Sequence, residues 1–163
     1  MITVRNAEIR DIRDIMALYE TARAFMRNRG NLTQWNGGYP SEALIRQDIA
    51  QGQCYVCLEQ GKIVGVFAFI LGEDATYRVI EQGSWHYDFP YGTIHRLASA
   101  GITGGISKTC FDFCLGKSRY LRIDTHADNL PMQAAIVRYG FRPCGVIHVA
   151  DGSPRLAFDY CLE

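Results

Sequence analysis

Between Thr93 and Cys114 the chain reads TIHRLASAGITGGISKTCFDFC, and two kinds of chemistry are legible in that stretch. His95 supplies an imidazole, a group that titrates near neutrality and can take a proton from an ammonium directly or through water. Beyond it, Gly101, Gly104 and Gly105 separate a β-branched run from an amphipathic one. A strand, a Gly-rich turn and a helix start together form a phosphate cradle, because the N–H groups of a helix's first turn point at whatever lies before it. A sharp strand-to-helix reversal uses glycine in the same way without holding any ligand, and this stretch alone leaves both readings open. Two known phosphate motifs are excluded. GxxxxGK[ST] ending at Lys108-Thr109 needs glycine where Ile102 and Ser107 stand, and GxGxxG has no register here.

Other residues of chemical type lie nearby in sequence. His126 ends the strand-like YLRIDTH, and Tyr139 stands beside Gly140 at the end of a helix-like run. His86 and His148 carry no motif. Six cysteines are spread over the chain, and Cys54 and Cys57 have the CxxC spacing. CYVCLE reads as a strand, in which residues three apart point to opposite faces, so no metal or dithiol site is expected there. Cys110 and Cys114 share a helix face with no third ligand near them and are assigned to the core.

The elements that must carry these residues follow from periodicity and punctuation. ITVRNA alternates as a strand. Asp11 is placed to cap a helix in which Ile12, Ile15, Met16, Tyr19, Phe25 and Met26 recur at spacings of three and four, with Gly30 ending it. NLTQWNGGYP is a loop, and Pro40-Ser41 opens a helix through Ala50 with Ala43, Leu44 and Ile49 on its apolar side. CYVCLE and KIVGVFAFIL, separated by Gln60 and Gly61, form a hairpin. Residues 72–92 have no period and are an irregular connection long enough to be functional. The strand, turn and helix of 93–115 come next, then YLRIDTH as a strand and NLPMQAAIVRYG as a helix with Pro131 in its first turn and Gly140 at its end. FRPCGVIHVA, the turn DGSP and RLAFDYCL complete the order β α α β β β α β α β β.

At 163 residues the chain suits one domain, residues 1–163, able to bury roughly two thirds of its unfolded surface. The 17 basic and 17 acidic residues cancel, and no Lys/Arg run makes a stripe for nucleic acid or anionic membrane, so a small-molecule partner is expected. The charged N-terminus lacks the apolar core of a signal peptide and no stretch has the length of a membrane span, which leads to the expectation of a cytoplasmic protein with reduced cysteines.

The element order, together with ITGGIS at 102–107 and the Asn129 to Gly140-Phe141 segment, resembles the GCN5-related N-acetyltransferase (GNAT) superfamily. The resemblance spans nearly the whole chain and is most specific over 92–147. It implies an α/β (α+β) fold: a mixed, mostly antiparallel sheet of six to seven strands with a splayed parallel pair, and about four helices. It also implies acetyl-CoA as co-substrate. The family's [QR]xxGx[GA] loop matches at Gly105 and, with a small stand-in, at Ser107, while Ile102 replaces the leading Gln or Arg. Gly104, Gly105, Ile106, Ser107 and Lys108 then meet the pyrophosphate, Leu97, Ala98 and Ser99 meet the pantetheine arm through main chain, and Asn129 is a further cofactor-binding position. The family's thiolate-protonating Tyr falls at Ile136, which leaves His95, His126 and Tyr139 as catalytic candidates. Acceptor recognition in the family uses the loop between the first two helices and the insert before the fourth strand. Here these bring Trp35, Tyr39, Tyr77 and Trp85 among carboxylates such as Glu73 and Asp74, suited to a cationic or amphipathic amine. The resulting expectation is an N-acetyltransferase acting on a small-molecule amine, without metal, as monomer or homodimer. Its alternatives are a non-catalytic CoA-binding protein of the same fold and a P-loop-like nucleotide binder.

Overall fold

A computed structural model describes residues 1–101 and 103–162. Seven strands and four helices alternate in the anticipated order: β1 (Thr3–Asn6), α1 (Ile12–Asn28), α2 (Glu42–Ala50), β2 (Cys54–Glu59), β3 (Lys62–Leu71), β4 (Gly92–Ser99), α3 (Ile106–Leu115), β5 (Tyr120–Thr125), α4 (Leu130–Tyr139), β6 (Arg142–His148) and β7 (Pro154–Cys161). The strands form one mixed sheet in the order β1-β2-β3-β4-β5-β7-β6. Its parallel pair is β4 with β5, whose register runs from Gly92↔Leu121 to Ile94↔Ile123. The chain divides into two compact units, the first comprising Met1–Phe69 and Arg96–Phe111, the second Ile70–His95 and Asp112 onward.

The first unit is built on α1. Ile15, Leu18, Tyr19, Ala22 and Met26 are its buried stripe and pack with Ile45, Val56, Val66 and Ala98. Phe25, counted as apolar stripe in the sequence, is instead 46% exposed, one step of about 100° round the helix from Met26. Asp11 does not cap α1. Its carboxylate accepts from the Glu8 N–H at 2.8 Å and from both terminal nitrogens of Arg5, closing a short 3-10 turn ahead of the helix. Ser41 does cap α2, its Oγ accepting from the Leu44 N–H at 3.1 Å, but the residues α2 buries are Ile45 and Asp48 rather than Ala43 and Leu44. The β2–β3 hairpin turns at Gln60 (φ 51°) and Gly61 (φ 78°), the doubly left-handed pair that matches strand twist.

In the second unit the connection 72–91 has one 3-10 turn, Ala75–Tyr77, and is otherwise irregular. Tyr77, Tyr91, Tyr120, Cys144, Ile147 and Ala157 form its buried cluster. The connection is tied to β6 by a two-way backbone bridge between Glu81 and Val146, at 2.9 and 2.8 Å. Glycine is obligatory on both sides of that bridge: a Cβ on Gly83 would sit 1.9 Å from the Cys144 carbonyl oxygen, and one on Gly145 would sit 2.4 Å from that of Glu81. Asn129 caps α4 with its side chain, and Gly140 ends the helix at φ 119°.

Candidate active site

In the first unit, β4 leads through Gly101 (φ 79°) and Gly105 (φ 82°) into α3. Thr103 fastens this turn by donating from Oγ1 to Glu59 at 3.0 Å, and the Gly101 N–H donates to Ser99 Oγ at 3.0 Å. The first helical bond of α3 runs from the Thr109 N–H to the Gly105 oxygen at 2.9 Å, so Ile106, Ser107 and Lys108 lie in the first turn, whose N–H groups have no acceptors within the helix. Among the described residues, and leaving aside each glycine's chain neighbours, no atom comes within 4 Å of where a Cβ on Gly104 or Gly105 would be. The turn is therefore open, side-chain-free backbone at the positive end of a helix dipole, which suits an anion. The motif position Ile102 lies outside the described residues.

Arg96 distorts β4 where the turn is approached. Its φ of 54° is left-handed in a non-glycine residue. Three residues hold it through four hydrogen bonds: Nε and Nη2 donate to the two oxygens of Asp48 at 3.1 Å each, Nη1 donates to the Tyr39 hydroxyl at 3.1 Å, and its carbonyl accepts from the Tyr19 hydroxyl at 2.7 Å. The two-residue alternation that would put His95 and Leu97 on one strand face does not run through such a residue, so that inference from spacing fails. Nothing in the sequence marks Arg96 as left-handed, and its partners are far away along the chain.

His95 itself belongs to the second unit. Its Nε2 lies 2.8 Å from Asp74 Oδ2, and its ring packs 6.4 Å from that of Tyr77. The other Asp74 oxygen accepts from the Thr76 N–H and hydroxyl, and the Asp74 N–H donates to the Tyr91 hydroxyl. Burial pushes the Asp74 carboxyl up, but the bonds from His95 and Thr76 outweigh it and hold the group at about 2. An ionised carboxylate only accepts, so it fixes the proton on Nε2 and leaves the Nδ1 lone pair to accept. Beside this pair Tyr77 donates its hydroxyl to Asp124 at 2.6 Å, and burial raises the Asp124 carboxyl above its ordinary range. Asp74 was legible only as one acid among several in the connection, and its pairing with His95 depends on tertiary structure.

The remaining candidates are placed as follows. His126 accepts at Nδ1 from the Asp128 N–H at 3.0 Å, and its basicity is lowered by burial and by the positive charge of Arg155. Tyr139 donates its hydroxyl to Asp112 at 2.6 Å and packs against Phe141 and Tyr160. Ile136 is fully buried. Asn129 uses its Oδ1 on the Met132 N–H at 3.2 Å. In the first unit Trp35 meets Tyr19 edge to face at 5.5 Å, and Tyr39 is 39% exposed with its hydroxyl on Arg96. In the second, Tyr77 is buried and Trp85 packs 5.0 Å from it, donating Nε1–H to the Tyr77 carbonyl at 3.0 Å.

Cys54, Cys57, Cys110, Cys114 and Cys144 are all buried cysteines outside any disulfide. His86, Cys144 and Asp159 bring three metal-type donor atoms within 4.8 Å of one another. The Asp159 carboxylate already accepts there from the His86 N–H at 2.9 Å and the Tyr120 hydroxyl at 2.7 Å, with His86 Nδ1 at 2.6 Å.

No protein-family model and no curated protein matches the sequence. Among solved structures, a GNAT-family acetyltransferase from Streptococcus agalactiae is 32% identical, with 99% of this chain and 96% of that chain covered at a TM-score of 0.91. A GNAT-family acetyltransferase from Listeria monocytogenes shares the fold at 19% identity, with 99% and 95% covered and a TM-score of 0.71. So does a phosphinothricin acetyltransferase from Sinorhizobium meliloti, solved in complex with AcCoA, at 17% identity, 99% and 88% covered and a TM-score of 0.65. With its seven-stranded mixed sheet, its parallel β4–β5 pair and a near-complete match to a relative at 32% identity, the chain belongs to the GNAT family of acetyltransferases.

Proposed function

We propose that this acetyltransferase takes its acetyl group from acetyl-CoA and delivers it to the amine of a small molecule. The observation that carries the reading is the glycine turn after β4: left-handed at Gly101 and Gly105, open at Gly104, and followed at once by the first turn of α3. Backbone N–H groups at this place suit a pyrophosphate, and the fold neighbour from Sinorhizobium meliloti was solved with AcCoA bound. In this reading the main chain of Leu97, Ala98 and Ser99 pairs with the amides of the pantetheine arm.

Acetyl transfer needs a neutral amine. The amine nitrogen attacks the thioester carbonyl, a tetrahedral intermediate forms, the C–S bond breaks, and the departing thiolate takes a proton. His95 is the proposed proton acceptor for the amine, at Nδ1, with Asp74 fixing its tautomer from the other nitrogen. Asp74 is a positioning residue. Tyr139 is already committed to Asp112, and Ile136 has no hydroxyl, so the thiolate draws its proton from water or from the conjugate acid of His95. Trp35 and Tyr39 offer aromatic surface to the acceptor, and the balanced charge of the chain favours a small molecule over a polyanion.

Thermal-shift titration with acetyl-CoA, CoA and ATP, paired with a thiol-release assay over a panel of primary amines, tests the proposal. Stabilisation by acetyl-CoA and CoA with amine-dependent thiol release is expected. Greater stabilisation by ATP, or acetyl-CoA bound yet never consumed with any amine, would overturn it.

A further inference from the structure

The second unit contains a pocket of about 610 Å³ whose walls include Tyr77, Trp85, Phe89, Pro90, Tyr91 and Arg122. That volume is within the range of small-molecule sites. Tyr77 also packs on His95, which is not among the residues that line the pocket.

Arg122 is the unusual wall. It is only 6% exposed, and its guanidinium lies 4.2 Å from the centre of the Trp85 ring and 4.0 Å from that of Tyr91. Nε donates to the Tyr120 hydroxyl at 3.2 Å and Nη2 to the Tyr87 carbonyl at 3.0 Å. Nη1 makes no hydrogen bond among the described residues and is not one of the sealed polar atoms that lack a partner, so it keeps some accessible surface in a side chain that lines the pocket. Among the described residues no carboxylate forms an ion pair with the guanidinium. Asp159, its register partner on β7, meets it through the Tyr120 hydroxyl and also accepts from the His86 N–H. Asp159 is shared with other donors, and the remaining N–H of a buried guanidinium is best satisfied by an ionised acceptor, with which it makes a charge-assisted hydrogen bond. At the rim Glu73 and Arg78 pair with each other and Asp88 is exposed, so the rim adds no positive charge that would favour a multiply charged phosphate.

We infer that this pocket binds a small monocarboxylate with a planar apolar body, the carboxylate on Arg122 Nη1 and the body against Trp85, Tyr91 and Phe89. It is a second ligand site, none of whose lining residues belongs to the donor turn after β4.

The test uses the full chain carrying Trp35→Phe, which leaves Trp85 as the only tryptophan, and follows its fluorescence on titration with benzoate, phenylacetate and indole-3-acetate, each beside its neutral amide. At least one carboxylate is expected to bind saturably and at least tenfold more tightly than its amide. Arg122→Met should erase that preference and Arg122→Lys retain part of it. Should Arg122→Met fail to fold, the acid-to-amide ratio in the parent protein decides alone. Saturating acetyl-CoA should leave the carboxylate's affinity within about threefold. Equal binding of acid and amide, no binding by any acid, or displacement by acetyl-CoA would overturn the inference.

Discussion

Nε2 of His95 lies 2.8 Å from Oδ2 of Asp74, a residue 21 positions earlier in an irregular connection. The contact joins the strand that leads to the donor turn with the segment that differs most from regular structure. It makes His95 a defined hydrogen-bond tautomer rather than a rotating ring. The proposed chemistry can be dissected through this pair.

His95→Gln is expected to lower turnover by about 10² to 10⁴ while leaving acetyl-CoA affinity nearly unchanged, the range for removing a general base. Asp74→Asn should cost less and should also change the shape of the pH–rate profile, because an amide can stabilise either tautomer. Steady-state thiol release between about pH 6 and pH 9, with acetyl-CoA affinity from calorimetry, separates the two. Turnover surviving His95→Gln within a factor of about three would move the role to His126.

The same pair has an acid signature. Asp74 is held at about 2 against an ordinary 3.8, so its ionised form stabilises the folded state at pH above 3.8, and that stabilisation disappears as pH falls towards 2. The shift corresponds to about 2 kcal/mol. Urea unfolding of wild type and Asp74→Asn should differ by this order at pH 6 and converge near pH 2. A gap that stays constant with pH would show that the carboxylate contributes nothing through ionisation.

The donor turn can be tested with two glycines that differ in conformation. Gly104 is not left-handed and has open space for a Cβ, so Gly104→Ala should leave the melting temperature unchanged. Any loss of acetyl-CoA affinity in that variant reports on backbone approach to the ligand. Gly105→Val combines approach with a left-handed φ of 82° and should weaken acetyl-CoA at least tenfold, about 1.4 kcal/mol. Unchanged affinity in a folded Gly105→Val protein would refute the register.

Arg96 and Asp48 are a buried pair, with side chains 9% and 5% exposed. Asp48→Ala should destabilise the fold by about 3–5 kcal/mol, because it strands a buried guanidinium. Tyr39→Phe removes only one acceptor of the same group and should cost about 1 kcal/mol. A rise in KM for the amine beyond that small loss would tie Tyr39 to the acceptor as well.

Element order and most turns were legible because they rest on local rules. Ser41 and Asn129 cap helices, Gln60-Gly61 turns a hairpin, and Gly140 ends α4, each through atoms a few residues away. Asp11 and Asp48 were misread or passed over because their carboxylates serve distant or competing donors, Arg5 in one case and Arg96 in the other. For the site, the glycine turn was visible as a pattern, whereas the Asp74 partner of His95 and the buried charge of Arg122 exist only once strands and connection are assembled. The left-handed Arg96 is the clearest limit: alternation assumes a regular strand, and one backbone torsion cancels it.

The Glu81–Val146 bridge, closed by Gly83 and Gly145 in backbone-to-backbone contact, has a kinetic meaning. A connection of this length would ordinarily suggest a flap that swings shut over its ligand. Here the flap is riveted at its midpoint, and lifting it means breaking two main-chain hydrogen bonds where no side chain can cushion the gap. Ligands of the second unit therefore meet a preformed surface, and stopped-flow association should be single-phase, with a rate that rises linearly with concentration and shows no plateau from a closing step.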